Sequence, residues 1–341
     1  LPWLAATEER QRIQAAAALA AAATREPRRL QPLLQSLFEL YKARLPGAGG
    51  GAQVGPPDAS DEDGDAGWLG REGVAIALGT LAPLLDPRLH LPVVFAFLKR
   101  TFADEREAVA QAMVAAARTL IERQPSPAEM LPLLLPMLEN SLAEAATTEE
   151  QDRVRRGLVL SLGALAAHME PDDPRVAPVL QRLIDTLSTP SEAVQRTISA
   201  SLALLVRPRA IRDRGAEYLD ALLASLVATP SYAMRRGAAY GVGGLVRGLG
   251  LPVLEGRGVL DALHAASASK DKGEKGAFAR EGALFAYEAL ADALGRLFEP
   301  YILDVVPQLL ACVADGSGGV RAAAVAASQT TMGRLSSQRA K

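Results

Sequence analysis

The sequence contains one cysteine, Cys312, and aromatic residues make up only 4% of the chain. A single cysteine excludes an internal disulfide and favours a reducing compartment, so we predict a cytoplasmic location. No run of about eighteen or more uncharged apolar residues is present, which argues against a membrane-spanning helix. With 341 residues, 49% of them hydrophobic, the chain can bury a large apolar interior but is too long for one compact core.

The motifs of catalysis and cofactor binding are also missing. The three histidines, His90, His168 and His264, lie far apart and lack metal-ligand spacing. There is no GxxxxGK-S/T phosphate loop and no G-x-S-x-G nucleophile turn. We therefore predict that the protein is not an enzyme and uses no cofactor, metal or small-molecule substrate.

Alanine and leucine dominate the composition, whereas β-branched and aromatic residues are sparse, and this balance favours α-helix. The formal net charge is only −2. The chain as a whole therefore does not attract nucleic acid electrostatically, although local clusters of one charge can do so.

A repeated pattern runs through the chain. Residues 71–85 read REGVAIALGTLAPLL, 155–169 read RRGLVLSLGALAAHM, 235–250 read RRGAAYGVGGLVRGLG and 280–294 read REGALFAYEALADAL. In each, an arginine stands two residues before a small residue, and apolar residues follow at helical spacing. The small residues of the full set of repeats are Ala16, Gly73, Ala112, Gly157, Thr197, Gly237, Gly282 and Ala323.

The intervals between these positions are 57, 39, 45, 40, 40, 45 and 41 residues. A period of about 40–47 residues with only helical signals is typical of HEAT or armadillo repeats. Shorter apolar helices are predicted between the aligned ones, at 28–44, 87–101, 127–142, 174–188, 215–228, 257–267 and 299–313. Five of them contain a proline, which we expect to kink the helix: Pro32, Pro92, Pro132, Pro178 and Pro307.

A kinked first helix favours HEAT over armadillo repeats. We therefore predict an all-α fold, an α-solenoid of about eight HEAT repeats whose first helices are kinked by proline. We expect residues 1–341 to form a single solenoid segment of a larger protein.

Two further positions recur. Eight residues before the small residue stands an acid or threonine, which we interpret as the start of each second helix, with capping boxes at Asp104–Glu107 and Thr189–Glu192. Two residues before the small residue, five repeats carry an arginine, and we predict that these form a structural ladder: Arg71, Arg155, Arg235, Arg280 and Arg321.

The glycines of 235–250 allow two interpretations, a phosphate-binding loop or a packed helix. Gly237, Gly241, Gly243 and Gly244 fall inside the repeated helix, and no strand precedes them. We therefore predict that these small residues let neighbouring helices approach closely.

Residues 46–67 form an insertion rich in glycine, proline and acidic residues. Little in it can be buried, so we predict a disordered, solvated loop. Metal binding by its acidic run is the alternative, but the EF-hand pattern is not met.

Two basic clusters interrupt the near-neutral chain. One is the arginine link, Arg207, Arg209, Arg212 and Arg214; the other is the lysine loop, Lys270, Lys272 and Lys275, which holds three of the six lysines. Both are candidates for contact with RNA phosphates. The alternative is a solvated loop, since Asp213, Asp271 and Glu274 dilute the charge.

The stretches YAMRRGAAYGVGGLVRGLG and REGALFAYEALADALGRLFEPYILDVVPQLLACVADGSGGVRAAA resemble the large translational activator of general amino-acid control. GREGVAIALGTLAPLLDP and TPSEAVQRTISASLALLV fit the same region, which precedes a part similar to elongation factor three. The resemblance spans most of the chain and is strongest at 232–324.

The resemblance implies a HEAT scaffold that binds the ribosome, through ribosomal RNA and ribosomal proteins, and the two basic clusters are the candidate contacts. It also implies a relay of starvation or collision stress to the kinase of the initiation factor two alpha subunit, through other parts of the full-length protein. In HEAT folds an arginine at the ladder position often reaches an acidic residue on a neighbouring turn. The alternatives are a karyopherin-type nuclear transport receptor and a HEAT scaffold for other proteins.

Overall fold

The computed structural model describes residues 1–45, 67–143, 148–170, 173–207 and 211–336, with no side-chain description beyond residue 333. It divides into two compact units, Leu1–His168 and Met169–Lys341. In the described residues every regular element is helical, which confirms the all-α prediction.

The first unit contains seven α-helices in its described part. They are α1 (Glu9–Arg25), α2 (Leu30–Ala43), α3 (Trp68–Leu81), α4 (Leu91–Thr101), α5 (Glu107–Glu122), α6 (Pro127–Ala143) and α7 (Glu149–Ala166). Helices α2, α4 and α6 each pack on the helix that follows, and α1, α3, α5 and α7 pack side by side. This is the stacking of HEAT helix pairs, in which the first helix is called A and the second B.

The second unit repeats this arrangement. Its described helices are α8 (Val176–Thr186), α9 (Glu192–Leu205), α10 (Arg212–Ala228), α11 (Tyr232–Leu249), α12 (Pro252–Gly256), α13 (Val259–Ser267), α14 (Glu274–Leu294), α15 (Ile302–Val313) and α16 (Gly318–Ser336). The B helices α9, α11, α14 and α16 pack in succession. The described residues thus form seven pairs, together with α1, which a short 3-10 turn (Pro2–Ala5) precedes in place of an A helix.

The prolines lie differently from the prediction. Pro132 and Pro307 are inside A helices, as is Pro136, which the repeat alignment did not single out. Pro92 instead stands at the start of α4, and Pro32 and Pro178 are the third residues of α2 and α8. Since the first-turn N–H groups have no partner within the helix, a proline there removes no hydrogen bond and has no reason to kink the helix.

The predicted starts of the second helices are also wrong at four positions. Helices α5, α9, α11 and α16 each begin three residues after the predicted start, which was Asp104, Thr189, Thr229 and Asp315 in turn. Neither Asp104 nor Thr189 is an N-cap. A reciprocal capping box does occur at Thr148 and Gln151, where α7 begins.

The glycines of the repeat sit at close helix contacts, as predicted. A Cβ atom at Gly237 in α11 would overlap the carbonyl oxygen of Leu187, at the end of α8, the A helix of the preceding pair. Gly73 and Gly282 stand in the same relation to the carbonyl groups of Leu4 and Leu226. Residues 235–250 are therefore a packed helix, and the small residue of the repeat sets how closely adjacent pairs approach.

Arg71 shows what the arginine of the repeat does. Its side chain is fully buried, and its Nε and Nη2 atoms donate to the two carboxylate oxygens of Asp104 at 2.9 and 3.0 Å. A third donor, Nη1, bonds the Arg44 carbonyl at 2.7 Å, and the Tyr41 hydroxyl completes the site by donating to Asp104 at 2.6 Å. Asp104 belongs to the next helix pair, so this buried ion pair joins two repeats.

Arg235 forms the same kind of joint in the second unit. It is buried, pairs with Glu281 of the next repeat through Nη2, and donates from Nη1 to the carbonyl groups of Thr229 and Pro230 at 2.8 and 2.7 Å. The guanidinium also lies over the Phe278 ring, with Cζ 4.4 Å from the ring centroid. The side chain thus bridges the turn of its own pair and the following B helix.

Arg280 continues this ladder one repeat further on. Its ion pair with Asp315 has an N–O distance of 2.7 Å, and Nη1 donates to the carbonyl groups of Ser269 and Asp271. Arg155 bonds the Leu142 carbonyl at 3.2 Å, and Arg321 bonds the carbonyl groups at 315 and 316. All five predicted arginines therefore hold the turn that joins the two helices of a pair.

Two further residues belong to this ladder, although the repeat pattern did not predict them. Arg12 pairs with Glu72 at 2.6 Å and bonds the carbonyl groups of Ala6 and Thr7, in the same geometry as Arg235. The alignment placed the first repeat two residues late, at Ala16. Gln195 takes the arginine position in the fifth repeat and donates to three carbonyl groups, those of Leu187, Thr189 and Ala233.

A second polar network joins α9, α11 and α14. Glu192 accepts hydrogen bonds from Tyr240 (2.7 Å), Arg236 (3.1 Å) and Arg196 (2.9 Å). Arg236 also pairs with Glu288 at 3.5 Å. Burial acts to raise the pKa of Glu192, but the hydrogen bonds outweigh it and lower that pKa to about 2.

Replacing Gly237 by alanine should lower the free energy of unfolding by about 2 kcal/mol, because the added methyl group overlaps backbone that cannot move independently. The matched control is Gly79→Ala, where a Cβ atom would lie 3.8 Å from Thr119 and alanine should stabilise the helix slightly. Urea unfolding of both variants measures the difference. Equal stability of Gly237→Ala and wild type would contradict the close contact.

Replacing Asp104 by alanine should lower the free energy of unfolding by about 3–5 kcal/mol, because it leaves the fully buried Arg71 guanidinium without its counter-charge. The control, Glu122→Ala, removes an exposed pair with Arg118 and should cost less than about 0.5 kcal/mol. Denaturation midpoints of the two variants report the comparison. Similar losses would mean that the buried pair does not join the repeats energetically.

The Glu192 network predicts a pH-dependent contribution to stability. The folded pKa of about 2 lies below the ordinary value of 4.5, so the ionised group stabilises the fold above pH 4.5. That contribution should fade as the pH drops from 4.5 towards 2. The difference in melting temperature between wild type and Glu192→Gln, measured across this range, should shrink with falling pH; a constant difference would rule the mechanism out.

Candidate functional site

The arginine link joins α9 to α10 in the second unit. Arg207 is exposed, and Arg209 lies outside the described residues. Arg212 donates from Nη2 to the Leu249 carbonyl at the end of α11, and Arg214 pairs with Glu217 at 3.7 Å. Of the described members, Arg212 therefore has a structural contact, and Arg207 is the one whose charge is available to a ligand.

The lysine loop joins α13 to α14. Lys270, Lys272 and Lys275 are all exposed, and none has a carboxylate within ion-pair distance among the described residues. The backbone of the loop is held, since Arg280 bonds the carbonyl groups of Ser269 and Asp271. The side chain of Asp271 is also engaged and accepts from the Gly273 N–H at 2.8 Å. The loop thus presents three exposed ammonium groups without ion-pair partners, next to the exposed carboxylates of Asp271 and Glu274, on a fixed backbone.

The two basic clusters do not form one site. The arginine link lies beside Leu249, at the C-terminal end of α11. The lysine loop lies beside Arg280, whose neighbour Glu281 pairs with Arg235 near the N-terminal end of α11. At 1.5 Å per residue these ends are about 20 Å apart. The clusters therefore occupy opposite edges of the stacked pairs, and a ligand contacts both only if it spans that distance.

Three of the five ladder arginines are shielded from a ligand, whereas Arg321 is exposed. Arg71 and Arg235 are buried, and the side chain of Arg280 is 11% exposed. Each guanidinium is used to bond the chain itself. Arg280, which also borders the lysine loop in the sequence, therefore positions that loop.

His90 and Cys312 are placed as structural groups. His90 accepts from the Asp86 N–H at 2.9 Å, and burial lowers its pKa. Cys312 is buried in α15, where burial raises its pKa. Within the described residues no group of three or more potential ligand side chains is arranged to hold a metal ion.

The acidic insertion falls almost wholly outside the described residues, which resume at Gly67. Its predicted disorder and its alternative metal site both stay predictions. Across the described part of the chain, no helix is both long and apolar enough to span a bilayer.

Comparisons with known families agree with the repeat architecture. Residues 2–167 match the family described as stalled ribosome sensor GCN1, HEAT repeats. Residues 235–341 match the family described as the EF3 N-terminal HEAT repeat. The first match lies in the region that the sequence stretches resemble, and the second shows that residues 235–341 already belong to the part similar to elongation factor three, which we expected to follow this chain.

Curated relatives match nearly the whole chain. The protein ILITYHIA of Arabidopsis thaliana is 38% identical over 95% of the chain, and the human stalled ribosome sensor GCN1 is 35% identical over 96%. The eIF-2-alpha kinase activator GCN1 of Saccharomyces cerevisiae is 30% identical over 78%. The chain spans only 10–12% of the length of these relatives.

Among solved structures, a crystal structure of importin β aligns with 96% of this chain and 42% of its own, at 17% identity and a TM-score of 0.43. That likeness is too weak to favour a transport receptor. The curated relatives share far more sequence, and over nearly the full length of the chain. The chain belongs to the GCN1 family of HEAT-repeat proteins, in the region that precedes and enters the part similar to elongation factor three.

Proposed function

We propose that this chain is a non-enzymatic, ribosome-associated scaffold segment of a cytoplasmic translational activator. The observation that carries the proposal is the similarity, over 94–96% of the chain, to relatives named stalled ribosome sensor or eIF-2-alpha kinase activator. In the full-length protein, other parts relay amino-acid starvation or ribosome collision to the initiation factor two alpha kinase. The segment supplies stiffness and surface, since a stack of repeats binds through an extended surface.

The lysine loop is the contact with ribosomal RNA or ribosomal protein that the geometry supports best. Its three ammonium groups are exposed and have no ion-pair partner in the described chain, and Arg280 holds the loop backbone in place. A fixed backbone reduces the entropy that the loop loses on binding. On the opposite edge Arg207 is the second candidate, whereas Arg212 contributes to helix packing through Leu249.

The test uses the full-length protein and purified ribosomes. Lys270→Glu, Lys272→Glu and Lys275→Glu together should weaken co-sedimentation, and each phosphate neutralisation that the variant removes should reduce the salt slope of log K by about 0.7–0.9. The matched control reverses three exposed arginines of the first unit with the same change in charge: Arg10→Glu, Arg28→Glu and Arg123→Glu.

If the lysine variant still binds ribosomes and Arg207→Glu binds them more weakly, the ribosome contact lies at the other edge, at Arg207. If the lysine variant and the control weaken co-sedimentation equally, binding depends on the net charge of the protein and not on the lysine loop. If the full-length protein does not sediment with ribosomes at any salt concentration, the ribosome-scaffold proposal fails, and a transport receptor or a scaffold for other proteins takes its place.

A further inference from the structure

The first unit has a groove of about 660 Å³ between the A helices α2 and α4. Aromatic rings form its floor: Phe38 and Phe97 stack with centroids 4.2 Å apart, and Tyr41 meets Phe97 edge-on at 5.3 Å. The Tyr41 hydroxyl is bonded to Asp104 of the arginine ladder. The groove therefore has a rigid aromatic floor, and its volume is in the range of ligand-binding clefts.

A second groove, of about 510 Å³, lies on the other side of α4. Met137 and Leu138 of α6 and Val154 of α7 contribute its apolar surface. Ala96 and Arg100 line both grooves. The two depressions thus flank one helix and share one cationic side chain.

Arg100 is exposed, and no carboxylate lies within ion-pair distance of it in the described part of the chain. Nearby apolar side chains are exposed as well, with Val93 at 52% and Leu45 at 40%. Glu105 lines the first groove and Glu150 the second, but neither is paired with Arg100. An exposed guanidinium without an ion-pair partner, between two mainly apolar depressions, is complementary to a carboxylate flanked by two apolar groups.

Adjacent packed helices lie about 8–10 Å apart, so the two grooves are separated by about 10 Å. An extended peptide in the polyproline II conformation has three residues per turn and advances about 3.1 Å per residue, so side chains three residues apart lie on one face, about 9 Å apart. We propose that these grooves form a docking site for an extended segment of a partner protein, with two large apolar side chains three residues apart and an acidic residue between them at Arg100. Residues 46–66 of the chain do not supply this pattern, because Val54 is their only large apolar residue.

The site is independent of the ribosome contact proposed above, which lies in the other unit. The test is fluorescence anisotropy of the 341-residue chain with labelled peptides that present Leu-Asp-Asp-Leu between Gly-Ser flanks. The comparison peptides present Leu-Lys-Lys-Leu and Ala-Asp-Asp-Ala. The acidic leucine peptide should bind at least about tenfold more tightly than either, since both the charge and the apolar groups contribute.

Arg100→Glu should weaken binding of the acidic leucine peptide about tenfold and strengthen binding of the lysine peptide. Arg123→Glu, an exposed arginine outside both grooves, is the matched control and should leave both affinities unchanged. Ala96→Trp, which fills the surface shared by the grooves, should abolish binding, and circular dichroism should show an unchanged helix content.

Three results would overturn the docking site. The first is absence of binding by the acidic leucine peptide, and the second is equal weakening in the Arg100 and Arg123 variants. The third is self-association of the chain in light scattering that Ala96→Trp removes, because a second copy would then be the occupant.

Discussion

A buried guanidinium bonded to the next repeat is the interaction on which this fold depends. Arg71 has no exposed surface and satisfies its donors with Asp104 and a backbone carbonyl, so it cannot leave its site without leaving a charge uncompensated. Arg235 and Arg280 repeat the arrangement in the second unit. The arginine of each ion pair also donates to carbonyl groups of the turn between two helices. The same side chain therefore fixes both the contact with the next repeat and the position of that turn.

The helix pairs and their recurring contacts could be predicted because a repeated sequence shows each structurally required residue type several times. The small residue, the apolar face and the arginine recur at fixed offsets, and those offsets identified Gly237 and Arg235 correctly. Asp104 was predicted as a helix cap and is instead an ion-pair partner. An acidic residue before a helix is compatible with both roles, and only the neighbouring repeat, about 30 residues away in the sequence, decides between them.

Other features depend on contacts that one segment of sequence does not contain. Gln195 stands at the arginine position and donates to three carbonyl groups, two of them in the turn before α9 and one in the next pair. Arg12 was missed because the large insertion after the first repeat obscured the alignment. The two basic clusters looked equivalent as sequences, yet Arg212 bonds Leu249 whereas the lysines bond nothing in the described chain. Their difference arises from tertiary packing, which the spacing of charges does not record.

The ladder also bears on where the proposed contacts lie. Since the guanidinium groups of Arg71, Arg235 and Arg280 are bonded within the chain, they are not available to a ligand, and the proposed contacts use cations at other positions. The lysine loop and Arg100 both meet this condition: neither occupies a ladder offset, and both are exposed. The lysine loop lies beside the ladder residue Arg280. Arg100 lines the groove that also contains Tyr41 and Asp104, which are hydrogen-bonded to each other. In each unit the proposed contact therefore uses exposed cations that the ladder does not need, so we expect substitutions there to leave the packing of the helices intact.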